Sequence, residues 1–252
     1  MKILKPIIVA LLVVSQYANA QDSKPLINNP SLSPSGQSMA FSYQGDIWTA
    51  DIDGTNTRRI TIHEGYESFP LWSKDGSQIV FQSDRNGNSD IFVVSATGGL
   101  PKQLTYHSRG DYLSDVTANG QVLFQSARNY VQIERASEIQ TISISGGTPS
   151  RILDALGIRA TQSPSGRYLA FTRGGCKVSR EAYTGPASRD IWLFDSQTKT
   201  YTALTSHDAQ DYSPQWGATD ETLYFLSARS GRYNVHQLKL NFADLSSNVL
   251  TQ

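Results

Sequence analysis

Cysteine is almost absent from the chain: Cys176 is the only one among 252 residues, so no intrachain disulfide can form. An excess of one charge is absent too, because Lys and Arg total 22 and Asp and Glu also total 22. Nucleic-acid-binding domains need clustered basic side chains, which this balance does not provide. We therefore expect no nucleic-acid partner, and stability must come from packing.

Long apolar runs are missing after the first twenty residues. Residues 1–20 have the pattern of a signal peptide: Lys2 and Lys5, an apolar stretch over residues 7–14, and the small-residue cleavage site Ala18-Asn19-Ala20. Its removal would leave a net charge of about −2 and no membrane span. We expect residues 21–29 to be a short lead-in, and the product to reach the periplasm or the extracellular medium.

Motifs for cofactors, metals and catalysis are also lacking. No phosphate-binding glycine loop or paired-cysteine zinc motif occurs. The segment from Asp84 to Asp90 superficially resembles a calcium loop, but its glycine is fourth rather than sixth and Ser95 stands at the twelfth place, so a hairpin turn is predicted. We therefore predict no cofactor, no metal and no catalytic residue in this chain.

The four histidines do not form one catalytic group in the sequence. His63, His107 and His207 each follow a closing Ile/Leu-Thr pair by two residues, which predicts equivalent hydrogen-bonding roles in three separate loops. His236 takes the place of a strand aromatic, and we expect it to pack.

What the sequence does contain is a repeat, best seen in residues 69–105. An alternating apolar run, Gln78 to Phe81, is followed by the turn Asn86-Gly87-Asn88 and a second run, Asp90 to Val94. The pattern predicts a four-stranded antiparallel meander. Related patterns recur through the chain, with the first-turn glycines at positions 36, 76, 120 and 166.

Periods of 40 to 46 residues with four strands each predict propeller blades. The fold class is therefore all-β, a β-propeller of four-stranded antiparallel blades covering residues 30–252. The five predicted blades are residues 30–61, 69–105, 113–154, 160–205 and 212–251. Trp48, Trp72, Trp192 and Trp216 are predicted to pack between blades.

Two hairpins between second and third strands are long, residues 173–189 in blade four and 129–137 in blade three, and both are predicted on one face of the disc. The blade-four loop supplies the candidate contact residues Arg180, Glu181, Tyr183 and Arg189. Packing of this loop on a neighbouring domain is the alternative.

Arginines recur shortly after the second-strand Phe, and we predict that they pair with the acidic residues that begin the third strands. A basic rim that attracts acidic peptide ends is the alternative. These arginines are Arg85, Arg128, Arg173 and Arg229.

Three segments carry a family resemblance: residues 204–216, residues 179–192 and residues 229–235. With the repeats, they resemble the amino-terminal propeller of tricorn-like serine proteases, and less closely the propellers of TolB-type proteins. The resemblance covers essentially the whole mature chain, but only the first propeller of a much longer family. It implies a six-bladed, non-catalytic ring that gates peptides for a peptidase domain lying beyond Gln252.

Three functions remain open at this stage. The first is a non-catalytic module that gates or docks peptide substrates for missing downstream protease domains. The second is a free-standing periplasmic interaction propeller of TolB type that docks protein partners. The third is a propeller enzyme with a calcium or carboxylate site in its channel. Five blades of a six-bladed ring would leave two apolar faces open, so a homo-oligomer is a further possible partner.

Overall fold

The computed structural model describes residues 26–129, 137–242 and 246–251, and within these ranges every regular element is a β-strand. The predicted signal peptide lies outside the described residues, as do much of the predicted lead-in and most of the blade-three loop. Of residues 246–251 only the backbone is described.

Twenty strands form five four-stranded sheets. Blade one contains β1 (Asn28–Leu32), β2 (Ser38–Tyr43), β3 (Asp46–Asp51) and β4 (Arg58–Arg59). Blade two contains β5 (Glu67–Trp72), β6 (Gln78–Ser83), β7 (Asp90–Ser95) and β8 (Lys102–Gln103). Blade three contains β9 (Asp111–Val116), β10 (Gln121–Ser126), β11 (Glu138–Ser143) and β12 (Ser150–Leu156). Blade four contains β13 (Ile158–Gln162), β14 (Tyr168–Arg173), β15 (Asp190–Asp195) and β16 (Thr200–Ala203). Blade five contains β17 (Asp211–Trp216), β18 (Thr222–Ser227), β19 (Asn234–Asn241) and β20 (Ser246–Thr251).

Each sheet is an antiparallel meander, since every strand pairs with its neighbours in chain order. The turn between the first two strands needs a residue with positive φ in four blades, and a glycine supplies it at φ 70° to 78°. The all-β propeller with five four-stranded blades is thus confirmed. The first strands start one or two residues before the predicted blade boundaries, because the residues just ahead of the boundary already pair with the second strand.

The core consists of four hydrophobic clusters, one at each junction between successive blades. At the junction of blades two and three, Val80 and Ile91 pack against Phe124 and Ile142. At the junction of blades three and four, Leu123 and Ile139 pack with Phe171. The central strands of blades two, three and four are apolar on both faces because these sheets are covered on both sides.

Three of the four tryptophans link neighbouring blades, as the sequence predicts. The indole N–H of Trp72 donates to Ser31 O in blade one at 3.1 Å, and that of Trp216 donates to Thr161 O in blade four at 3.1 Å. Trp192 packs in the junction of blades three and four. Trp48 differs, since it donates to Tyr43 O within its own blade.

The outer faces of blades one and five are not covered like the other blade faces. Position two of the third strand is fully buried in four blades, as Ile47, Ile91, Ile139 and Ile191, whereas Val235 of blade five is 56% exposed. Tyr224 on the same face of blade five is 37% exposed, and Leu32 on the outer face of blade one is 60% exposed. The two end blades therefore present apolar side chains where the other blades have neighbours.

The disc has two faces, which the meander defines. The insertion face holds the hairpins between second and third strands and the connections between blades. The turn face holds the other two turns of each blade, between strands one and two and between strands three and four. First strands of successive blades contact one another, so they form the inner rim around the channel. Each first strand runs from the insertion face to the turn face.

Candidate functional site

Three blades repeat one buried arginine–carboxylate unit on the insertion face. Each guanidinium forms an ion pair with the acid that begins the first strand of the same blade, donates from Nε to the serine two residues earlier, and lies over the ring of the second-strand phenylalanine. The pairs are Arg85–Glu67, Arg128–Asp111 at 2.6 Å and Arg229–Asp211 at 2.8 Å.

The sequence predicted structural pairing for these arginines correctly but named the wrong partner. The acids belong to the first strand of each blade, not to the third. The register explains this result. Asp111 lies opposite Ser126 in the β9–β10 pair, and Arg128 follows Ser126 by two residues, so the carboxylate and the guanidinium lie at the same end of the sheet. Arg173 has no such pair among the described residues and lies over the Trp192 ring instead, 5.2 Å from its centroid.

The acids that begin the third strands are buried close to these pairs. Burial raises the pKa of Asp90 from 3.8 to about 6, and the charge of Asp111 in the next blade adds to the shift. Asp190 is raised to about 6 in the same way, by burial first and by Asp211 second. Hydrogen bonds from Thr105 Oγ1 and Gln103 Nε2 to Asp90 oppose the shift only in part.

The raised pKa of Asp90 predicts that acid stabilises this junction. A folded-state pKa above the unfolded value means that the folded protein binds the proton more tightly, so the stabilisation is complete below pH 3.8 and is lost as the pH rises through about 6. Asp90→Asn mimics the protonated group. We expect the variant to exceed the wild type in unfolding free energy by about 1 kcal/mol at pH 8 and to match it at pH 4.

Urea unfolding followed by tryptophan fluorescence at both pH values measures this difference. Asp208→Asn is the matched control, because Asp208 is exposed on the same face. A variant that loses stability equally at pH 4 and pH 8 would show that the carboxylate oxygens matter only as hydrogen-bond acceptors.

The three loop histidines have the equivalent structural roles that the sequence predicts. Nδ1 of His63, His107 and His207 each accepts the backbone N–H two residues later, at 2.9 to 3.0 Å. His236 is buried and its ring packs 5.8 Å from that of Phe225, so the packing prediction is also confirmed. Burial lowers the pKa of His236, which keeps the ring neutral.

The predicted contact loop folds back onto blade five rather than extending away. Gln210 is fully buried and donates from Nε2 to the carbonyls of Lys177 and Arg180, and the Tyr233 hydroxyl donates to Val178 O at 2.7 Å. These bonds hold the backbone of the loop on the insertion face.

The four candidate residues divide between two cavities. Arg180, Glu181 and Tyr183 line a cavity of about 530 Å³ within the loop, where the Arg180 guanidinium lies 4.9 Å from the Tyr183 ring centroid. Arg189 lies apart from them, in a cavity of about 480 Å³ between blades three and four. Its Nε donates to Cys176 O at 2.7 Å. Arg189, which belongs to the same loop in the sequence, is thus separated by the fold from the other three candidate residues.

The insertion-face end of the channel holds residues that the sequence analysis missed. Arg159 of blade four lies over the ring of Phe69 in blade two, 5.0 Å from its centroid, so this contact joins blades that are not neighbours. Both residues have positive φ, 54° and 52°, at the bulge of their first strands. Tyr212 and Tyr233 pack edge to face beside them, with centroids 5.1 Å apart. The arrangement offers cations and aromatic rings to a ligand at the channel mouth.

The charge of this mouth is partly desolvated. Burial lowers the pKa of Arg159, and the charge of Arg189 lowers it further, while Tyr212 opposes the shift. Burial also lowers the pKa of Arg189, and Tyr233 opposes this shift in part. Burial raises the pKa of Tyr212, so its hydroxyl stays protonated. The side chains can therefore bind anionic and aromatic groups but are not arranged as an acid–base pair.

The described ranges contain neither a metal-binding cluster nor a membrane-spanning helix. Between residues 26 and 242, without 130–136, no group of three His, Cys, Asp or Glu side chains is placed to hold a metal ion. The same described part of the chain contains no helix long and apolar enough to cross a membrane. The Asp84–Asp90 segment forms the predicted hairpin turn, closed by Gly87 N–H donating to Asp84 O at 2.8 Å.

Comparison with known proteins adds a family and a fold. A family model described as the tricorn protease N-terminal beta propeller domain matches residues 24–251. Tricorn protease homolog 1 of Streptomyces coelicolor is 25% identical over 218 residues, which are 84% of this chain and 20% of that protein. The chain thus spans about a fifth of the length of this curated relative.

Solved structures share the fold at low sequence identity. The crystal structure of the tricorn protease superposes with a TM-score of 0.73 at 15% identity, covering 90% of this chain and 22% of that one. The structure of putative TolB from Agrobacterium tumefaciens superposes with a TM-score of 0.68 at 16% identity, covering 90% and 81%. Both likenesses concern the propeller fold alone.

Proposed function

This chain belongs to the family of tricorn protease N-terminal β-propeller domains, and we propose that it is a non-catalytic module that docks or gates peptide substrates for a peptidase domain outside this chain. We further propose that it is exported to the periplasm or the extracellular medium, on the strength of the signal-peptide pattern in residues 1–20. The docking surface would be the insertion face.

The observation that carries the proposal is the composition of the channel mouth on that face. Arg159 lies over Phe69 across the inner rim, and Tyr212 packs on Tyr233. Arginine and tyrosine are the side chains that dominate binding surfaces, because they offer large contact areas and hydrogen bonds together. The contact loop, whose backbone Gln210 holds on the same face, adds Arg180 and Tyr183.

The roles of the histidines support a non-catalytic module. A nucleophilic serine needs a base with a free ring nitrogen held by a third group. Three histidines instead use Nδ1 to accept a loop N–H, and His236 is buried against Phe225. Nδ1 of the three loop histidines is therefore occupied, and the ring nitrogens of His236 are buried without a hydrogen-bond partner among the described residues.

Peptide binding by the purified chain tests the proposal. The probe is a fluorescein-labelled pool of random decapeptides, and the measurement is fluorescence anisotropy. We expect saturable binding that weakens at least fivefold in the double variant Arg180→Ala, Tyr183→Ala. Leu100→Ser is the matched control, since Leu100 is 95% exposed on the turn face. Absence of saturable binding to the wild type would overturn the docking proposal.

A second candidate is a free-standing interaction propeller of TolB type, which docks folded proteins. It is favoured by the extent of the superposition on putative TolB, which covers 81% of that chain. The two candidates differ in the ligand: a TolB-type module would bind a folded partner on the same face and ignore the decapeptide pool. Hydrolysis of peptide, phosphate-ester or glycoside panels by the chain alone would contradict both.

A further inference from the structure

Blade four lacks the arginine–carboxylate unit that three other blades repeat. Strand register aligns its residues with those of blade three: Gly157 takes the place of Asp111, Arg173 that of Ser126, and Gly175 that of Arg128. The acid and its arginine are both replaced by glycine, and a guanidinium stands where the serine was. All three changes fall in one spot on the insertion face.

A cavity of about 480 Å³ occupies this spot, lined by these three residues together with Gln125, Thr172 and Arg189. Packing explains why blade four cannot carry its own acid there. A Cβ atom on Gly157 would come within 2.5 Å of Phe171 Cδ2, and that ring is fully buried. The first strand therefore passes too close to the ring for any side chain.

Two guanidinium groups line the cavity, and neither forms an ion pair with a carboxylate among the described residues. Arg173 is exposed and lies over Trp192, while half-buried Arg189 is fixed by its bond to Cys176 O. Burial lowers the pKa of Arg189, and the neighbouring Tyr233, Cys176 and Tyr212 offset this cost only in part.

Blade one provides an internal comparison. It also lacks the unit, with Ile27, Tyr43 and Gly45 at the three positions, and a cavity of about 340 Å³ lies there as well. That cavity is lined by Glu64 and His63 but by no arginine. Similar space is therefore present in both blades, and only blade four surrounds it with positive charge.

We propose that the blade-four cavity binds a carboxylate group of a peptide, which takes the place of the Asp or Glu found in blades two, three and five. This inference rests on the proposed function, since it names the chemical group by which a docked peptide is held. Arginine suits the task because its planar fork of donors matches two carboxylate oxygens. The carboxylate can come from the peptide C-terminus or from an acidic side chain.

The test uses three forms of one probe with the full chain: penta-alanine with a free C-terminus, its C-terminal amide, and the amide with a central glutamate. Isothermal titration calorimetry measures the affinities. We expect at least tenfold tighter binding of one or both carboxylate forms than of the neutral amide. Preference for the free acid identifies the C-terminus, and preference for the glutamate form identifies the side chain.

Two variants place the effect in this cavity. Arg173→Met removes the charge and keeps an unbranched side chain over Trp192, and we expect it to weaken carboxylate binding about tenfold. Gly175→Phe adds a ring where no atom lies within 4 Å of a Cβ, so it should obstruct the cavity without a backbone clash. Arg109→Met is the control, because Arg109 is an exposed arginine on the same face outside the cavity.

The carboxylate site and the docking proposal are contradicted by different experimental results. If the neutral amide binds as tightly as both carboxylate forms, or if Arg173→Met and Arg109→Met weaken binding equally, the carboxylate site is overturned while peptide docking stands. If none of the three probes and no random decapeptide binds, both are overturned. Circular dichroism of each variant establishes that the fold is retained.

Discussion

Replacing Phe171 with alanine is expected to lower the free energy of unfolding by about 3–5 kcal/mol, among the largest effects of any single core substitution in this chain. Phe171 is fully buried at the junction of blades three and four, where it packs with Leu123 and Ile139. Its ring also contacts that of Tyr201 edge to face, with centroids 6.4 Å apart. Deleting the ring removes apolar contacts from both blades and leaves a cavity that the rigid sheets cannot close.

Urea unfolding of the full chain, followed by circular dichroism, measures this loss. Tyr224→Ala is the matched control, since Tyr224 is an aromatic residue of the equivalent strand in blade five but is 37% exposed on its outer face. We expect the control to lose less than half as much. Equal losses at both positions would mean that the outer face of blade five is as well packed as an internal junction.

The sequence predicts the repeated parts of the fold because they depend on local chemistry. In blades one to four, the glycine of the first turn indicates a positive φ, and the Ile after the acid that begins the third strand indicates a sheet face covered by the next blade. These requirements recur at each of the four junctions, so the weak local patterns support one another. The roles of the three loop histidines were predictable for the same reason, because in each loop the histidine Nδ1 accepts the backbone N–H two residues later.

The partner of the arginines was not predictable from spacing alone. Both acids of a blade lie at the insertion face, one at the start of the first strand and one at the start of the third. Only the register between first and second strands selects Asp111 rather than Glu138 as the partner of Arg128. The serine two residues before each arginine is the sequence signal that accompanies the correct choice, because it binds the Nε of the same guanidinium.

The channel mouth lay outside the reach of sequence reasoning for a different reason. Arg159 and Phe69 are ninety residues apart and belong to blades that do not touch as sheets. Their contact depends on how the first strands curve around the channel, which a bulge with positive φ sets in each strand. The loop residues Arg180 and Arg189 belong to one hairpin in the sequence, but their separation into two cavities follows from the bonds of Gln210 and Cys176.

Replacing Arg128 with methionine is expected to destabilise the chain by about 3–5 kcal/mol, although methionine keeps an apolar chain near Phe124. The reason lies in the partner that remains. Asp111 is fully buried, its Oδ2 accepts from Arg128 at 2.6 Å, and its Oδ1 has no other partner among the described side chains and backbone. Without Arg128 the carboxylate is a buried charge with no counter-ion, so it must be protonated or the junction must open.

The double variant Asp111→Asn, Arg128→Met separates the cost of the stranded charge from the value of the pair. Because it removes both charges, we expect it to recover at least half of the loss seen with Arg128→Met alone, measured by urea unfolding at pH 8. Asp111→Asn should also lower the pKa of Asp90, since the charge of Asp111 helps to raise it. The stability difference between pH 4 and pH 8 should then shrink in every variant that carries Asp111→Asn. A double variant no more stable than Arg128→Met would mean that the lost hydrogen bonds and packing, rather than the isolated carboxylate, set the cost.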